Sequence, residues 1–288
     1  MQKIQAVQLA ASVLTTLRNS LERTQHSLHP KTMAERKILS FHNRPHRFNL
    51  LCPRPTNHWC STECADRLVS LRIMTSSDTA PVAIISRNDD SRIGTPLLVF
   101  LHGYGSNEQD LMGLSRYLPE EFTYLSVRAP LPAGSGYSWF PLSQEIDYST
   151  EAVGQSVQAL WSLLEPLSVQ HSSVTLLGFS QGMAMATSLA RFQPDAIGAV
   201  VGLSGFAVEP QGLEIFDDAT VQENPIPMFW GRDLADPVIT RDKVEYTLGW
   251  VSKHTELTSE TYPQIGHSVS KEELEDVDAF LKKVVLGQ

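Results

Sequence analysis

The segment Val174-Thr175-Leu176-Leu177-Gly178-Phe179-Ser180-Gln181-Gly182-Met183-Ala184-Met185-Ala186 falls into three parts. An apolar, partly β-branched run comes first and reads as a buried strand. Small and unbranched residues come last, continued by Leu189 and Ala190, and read as a helix packed closely on that strand. Between them Gly178, Ser180 and Gly182 spell G-x-S-x-G. With a strand before it and a helix after it, this pattern has the context of a nucleophile elbow, a sharp turn that lifts a serine above the sheet edge. Such a turn forces the serine into a sparsely populated backbone conformation. The chain doubles back so tightly that side chains at 178 or 182 are expected to collide with it. A helix N-terminus at Gln181 would favour negative charge developing at Ser180.

Working outward, apolar runs predict further strands at 82–85, 97–101, 122–127, 196–203, 226–230 and 255–262. Helical spacing predicts helices over 108–117, 149–167, 240–251 and 271–285, with Ser149 or Thr150 capping the second. Asn88-Asp89-Asp90 reads as a turn, and 128–141, rich in Pro, Gly and aromatics, as a loop. Strands alternating with helices predict an α/β fold: a doubly wound, mostly parallel sheet with helices on both faces.

The 288 residues are 42% hydrophobic and 19% charged, an ordinary globular composition. No uninterrupted apolar run of about 18 residues predicts a membrane-spanning helix. Charge divides the chain. Residues 1–73 hold 11 Lys+Arg against 4 Asp+Glu, a net +7, whereas 74–288 hold 12 against 28, a net −16. The acidic part argues against nucleic acid and anionic membrane surfaces as partners. It also contains no cysteine, which fits a reducing compartment, and a cytoplasmic location is expected.

Residues 1–73 read as a basic, poorly ordered N-terminal arm, and 74–288 as the catalytic domain. A first amphipathic helix reaches to about Arg23, followed by a His- and Pro-rich stretch with little periodicity. The apolar run is broken by Gln5 and Gln8, against a signal peptide, while the acid-poor start fits a transit peptide only loosely. Cys52, His58, Cys60 and Cys64 lack the spacing of a known zinc finger. The charge break raises a further expectation, that Met74 is the natural start and the arm an artefact of a gene start placed too far upstream.

An elbow serine needs a base, and in this fold the partners follow in the order serine, acid, histidine, each after a strand. Asp233 and Asp236 follow Pro227-Met228-Phe229-Trp230. Asp236, which precedes Pro237-Val238 and a helix, is the preferred acid; Asp233 has the alternative reading of a turn residue. His267 follows the last strand, where the base belongs. His254 sits at a helix end, where a cation near the last carbonyls explains it. An oxyanion hole needs two backbone N–H groups, one from Gln181 and one from the loop His102-Gly103-Tyr104-Gly105, with Tyr104 the donor. His102 reads as structural. Because the Gln181 donor is backbone, truncating its side chain is expected to be mild.

Leu101-His102-Gly103-Tyr104-Gly105, Ser138-Trp139-Phe140, the elbow, Leu203-Ser204-Gly205, Gly231-Arg232-Asp233-Leu234-Ala235-Asp236-Pro237-Val238 and Gly266-His267 together resemble the phospholipase/carboxylesterase family of α/β-hydrolases, over about 82–285. The resemblance implies the α/β-hydrolase fold and a Ser180, Asp236 and His267 triad. It also implies Tyr104 and Gln181 as oxyanion donors, Trp139 near an acyl pocket, and no metal or cofactor. Residues 104–110 depart from the acyl-protein thioesterase version and point to the bacterial carboxylesterase branch. Phe140 and Met183 are expected to line the same pocket, with core packing the alternative for Met183. The expected activity is hydrolysis of a small ester carrying an acyl chain, through an acyl-enzyme on Ser180. Acyl thioesterase and lysophospholipase activity are alternatives, as is a catalytically silent binding scaffold; a homodimer is also an expectation. The acidic segment 206–224 stays open between a lid and a surface loop.

Overall fold

The computed structural model describes residues 69–72, 82–143, 145–212 and 214–288. Most of the basic arm, with its Cys and His residues and its N-terminal helix, lies outside the described residues. So does Met74.

Eight strands form one sheet: β1 (Val69–Arg72), β2 (Val82–Ile85), β3 (Leu97–Leu101), β4 (Thr123–Val127), β7 (Val174–Phe179), β8 (Ala199–Leu203), β9 (Ile226–Arg232) and β10 (Thr255–Thr261). Their spatial order is β1-β2-β4-β3-β7-β8-β9-β10. The six strands from β4 to β10 run parallel; β2 is antiparallel to β4, and β1 to β2. Four residues of the segment read as an arm therefore form an edge strand of the sheet.

The central strands are apolar on both sides because both sheet faces are covered. Leu97, Val99 and Leu101 of β3 join one core with α2 (Thr150–Ser168), α3 (Gln181–Phe192) and α5 (Arg241–His254). Leu98 and Phe100 join a second core with α6 (Lys271–Leu281) and the 3-10 turn Leu111–Tyr117. This is the two-residue alternation of a strand read from both sides.

Ser149 caps α2 by accepting from Ala152 N–H, and Ser270 and Glu273 form a reciprocal capping box on α6. Asn88 caps a one-turn helix, α1 (Asp89–Arg92), where a turn was expected. The helix expected over 108–117 is a 3-10 turn over Leu111–Tyr117, preceded by a turn of its own in which Asn107 O accepts from Asp110 N–H at 3.2 Å and Asn107 Oδ1 from Gln109 N–H at 2.9 Å. Strand β8 begins three residues late, after the Pro194–Ala196 turn, and the last helix ends in a π turn over Lys282–Leu286. The loop at 128–141 contains a hairpin, β5 (Leu131–Ala133) with β6 (Gly136–Ser138). The segment 206–224 is built into the core at both ends. Phe206, Ala207 and Val208 are buried, and Val221 of α4 (Asp218–Glu223) is too. The buried Arg191 guanidinium pins it, donating to both Asp218 carboxylate oxygens at 2.7 Å and to Val208 O.

Candidate active site

Ser180 stands between β7 and α3 with φ 54° and ψ −117°, the strained conformation expected of an elbow. The flanking glycines have the predicted reason. A Cβ at 178 would overlap the Gly182 backbone, and one at 182 would overlap the Leu101 carbonyl. The turn is tied to the next strand by Ser180 N–H donating to Leu203 O at 3.0 Å. As the first residue of α3, Gln181 has an N–H with no acceptor inside its own helix.

The loops after β9 and β10 converge on the elbow. His267 Nε2 lies 3.0 Å from Ser180 Oγ, and its Nδ1 lies 2.8 Å from Asp236 Oδ2. The carboxylate accepts, so Nδ1 carries the proton and Nε2 faces the serine hydroxyl as acceptor. The other Asp236 oxygen accepts from Val238 N–H at 2.8 Å, which fixes the carboxylate. The Phe179 ring lies 5.0 Å from the imidazole, centroid to centroid.

Asp233 is not spare. Its Oδ1 accepts from Ala235 N–H and its Oδ2 from Gly266 N–H, both at 2.8 Å, so it bridges the acid and histidine loops. Those N–H donors, Ala235 first, hold its carboxyl below the ordinary range. His254 donates from Nδ1 to Trp250 O in its own helix and stacks on the Trp250 ring, away from this constellation.

On the other side of the serine runs the 102–105 loop. Gly103 packs directly on the elbow: a Cβ there would meet Ser180 Cβ at 3.4 Å. Residue 104 follows at once, with the Tyr104 ring half exposed. The hairpin props the loop through paired backbone bonds, Gly105 N–H to Tyr137 O at 2.8 Å and Tyr137 N–H to Ser106 O at 2.7 Å. Arg128, held by Glu108, lies over the Tyr137 ring at 4.5 Å. His102 is buried and structural. Its Nδ1 donates to Gly103 O, its Nε2 accepts from Ala129 N–H, and burial pulls its pKa down.

The residues expected at the acyl pocket, and the Gln181 side chain, all lie inside the protein. Trp139, Phe140 and Met183 are at most 1% exposed and pack within the core. The Trp139 indole N–H is spent on His102 O at 2.8 Å, and Met183 fills the space left by Gly202 and Gly205. The Gln181 side chain is also far from idle. Fully buried, it accepts from Trp139 N–H at 3.0 Å and donates to Phe140 O at 2.7 Å, stitching the elbow to the segment after the hairpin.

A parallel sheet with a serine elbow at its centre, an acid after β9 and a histidine after β10 defines the α/β-hydrolase class. The model of the phospholipase/carboxylesterase family matches residues 82–285, and the chain belongs to that family. Acyl-protein thioesterase 1 of Debaryomyces hansenii is 27% identical over 213 residues, covering 65% of this chain and 90% of that one. The Bacillus cereus carboxylesterase structure superposes with a TM-score of 0.61 at 19% identity, over 72% of this chain and 96% of that one. Acyl-protein thioesterase 2 of Zea mays superposes at 0.57 with 19% identity, over 70% and 97%. At such identities the two structures speak for the fold. Among the described residues no helix is long and apolar enough to cross a membrane.

Proposed function

We propose that the protein is a serine hydrolase that cleaves carboxylic esters through an acyl-enzyme on Ser180. The observation that carries this is the unbroken chain from Ser180 Oγ to His267 Nε2 at 3.0 Å and from His267 Nδ1 to Asp236 at 2.8 Å. In this reading His267 Nε2 takes the serine proton as Oγ attacks the ester carbonyl. Asp236 keeps the imidazole in the required tautomer and stabilises the imidazolium. The N–H groups of Tyr104 and Gln181 receive the oxyanion. The imidazolium then gives its proton to the leaving alkoxide, and water activated by His267 hydrolyses the acyl-serine. The substrate is a small ester with an acyl chain, and no step calls on a metal or cofactor. The cytoplasm as its location belongs to the same proposal, as does a catalytic domain of 74–288 with the edge strand Val69–Arg72 added to it.

Fluorophosphonate labelling of wild type beside Ser180→Ala tests it. Wild type should label, and the variant should neither label nor hydrolyse p-nitrophenyl esters, with a loss of several orders of magnitude, by analogy with about 10⁶ for a triad serine elsewhere. Equal labelling of both proteins refutes the assignment. The thioesterase relatives favour a second reading, in which the leaving group is a thiolate. Comparing kcat/KM for esters and thioesters of one acyl chain separates the two.

A further inference from the structure

Ser204 follows β8 with φ 43°, in the left-handed region that a serine adopts only under strain. It is 1% exposed. Around it three loops meet. Its neighbour Leu203 accepts from Ser180 N–H at 3.0 Å, so the residue abuts the elbow. Its own N–H donates to Gly231 O at 2.9 Å, at the base of the acid loop. Its hydroxyl donates to Ser268 O at 3.0 Å, the carbonyl just beyond His267. On the other flank of His267, Asp233 accepts from Gly266 N–H at 2.8 Å. The histidine is thus held on both sides in the chain, by a carboxylate before it and a hydroxyl after it. A glycine would occupy position 204 without strain. What serine adds is the hydroxyl, and its one acceptor is in the histidine loop.

We propose that Ser204 is a positioning residue: its hydroxyl, aimed by the left-handed turn after β8, holds the His267 loop at the distance that lets Nε2 meet Ser180. The proposal rests on the hydrolase reading for its kinetic consequence, but the geometry of His267 can be followed without it. Misplacing a catalytic group by an ångström costs up to about a hundredfold in rate. A loosened loop with Asp236 still in reach should cost less, about tenfold.

The test compares Ser204→Gly and Ser204→Ala with wild type. The glycine variant loses one hydrogen bond and sheds the strain of the left-handed turn, two opposing effects of similar size, so its Tm should stay near wild type. Its kcat for a p-nitrophenyl ester should fall about tenfold, with KM within about twofold and the acid limb of the pH–rate profile displaced. A merely structural serine would lose activity only as the fold is lost. The downfield proton resonance of His267 Nδ1–H, assigned by its absence in His267→Gln, should shift or broaden in the glycine variant. Wild-type kcat in folded Ser204→Gly overturns the proposal, and so does an unmoved resonance. If wild type neither labels nor hydrolyses, the hydrolase reading falls and the resonance alone decides on Ser204. Should the alanine variant not fold, the glycine variant carries the test.

Discussion

Glu273 offers a stability experiment that is independent of catalysis. It is the third residue of α6, fully buried, with its carboxyl packed where a side chain on Gly231 would otherwise lie. One oxygen accepts from Ser270 N–H at 3.4 Å; the other has no partner among the described residues. Burial pushes its pKa up to about 8 from an ordinary 4.5, with the nearby Asp276 carboxylate adding to the effect. The sign follows from linkage. Below about pH 4.5 the carboxyl is protonated in both folded and unfolded chains, and it costs nothing. Between about 4.5 and 8 only the unfolded chain ionises, so stability falls by about 1.4 kcal/mol per pH unit. At pH 7 the penalty is about 3 kcal/mol, and it levels off near 5 above pH 8. Glu273→Gln keeps an N3 side chain able to close the capping box and cannot ionise. Urea unfolding of both proteins at pH 5, 7 and 8.5 should show the variant gaining on wild type, from about 1 kcal/mol at pH 5 to several at pH 8.5. A difference that does not change with pH, or a wild type more stable than the variant at pH 8.5, refutes the argument.

Gln181→Ala removes two buried hydrogen bonds and leaves Trp139 N–H and Phe140 O unpaired, so it should cost about 2–4 kcal/mol, read as a lowered urea midpoint. An unchanged midpoint would mean that water replaces the amide. Arg191→Met takes the guanidinium from Asp218 and from the Phe216 ring 4.2 Å away. A fully buried pair would cost about 3–5 kcal/mol when broken, but Asp218 keeps 34% of its side chain exposed, which brings the expectation to about 2–3. Limited proteolysis should then cut within 209–217 faster than in wild type; equal cutting rates would show that the anchor lies elsewhere.

Much of the sheet was legible because the interior strands are short apolar runs bounded by turn residues. Leu97–Leu101 has no polar side to hide, and burial on both faces is the only environment that suits it. What escaped the reading is held by partners distant in sequence. The β5–β6 hairpin has strands of three residues and exposes Leu131, so its pattern carries no period; it is fixed by the backbone of Gly105 and Ser106. The Glu108 carboxylate likewise pairs with Arg128, 20 residues away. Local propensity has no access to such a contact.

The same division runs through the site. Ser180, Asp236 and His267 were legible because each sits after a strand, in an order that this kind of sheet imposes, and the structure brings those three together. The residues that set the distances between them were not. Asp233 looked like a rival for Asp236 because both follow the same strand. Only the fold shows that one faces the imidazole while the other takes the N–H of Gly266. Ser204 sits in the Leu203-Ser204-Gly205 motif and Gln181 in the elbow, yet neither motif assigns those side chains a role. A reacting group has a chemical type that a motif can specify, whereas the group that aims it needs only a donor or acceptor at the right point in space. Many residue types supply that. Activity lost by truncating Asp233, Ser204 or Gln181 would therefore come from side chains to which their motifs assign no reacting role, and the pH and KM dependence of that loss is what would tell aiming from folding.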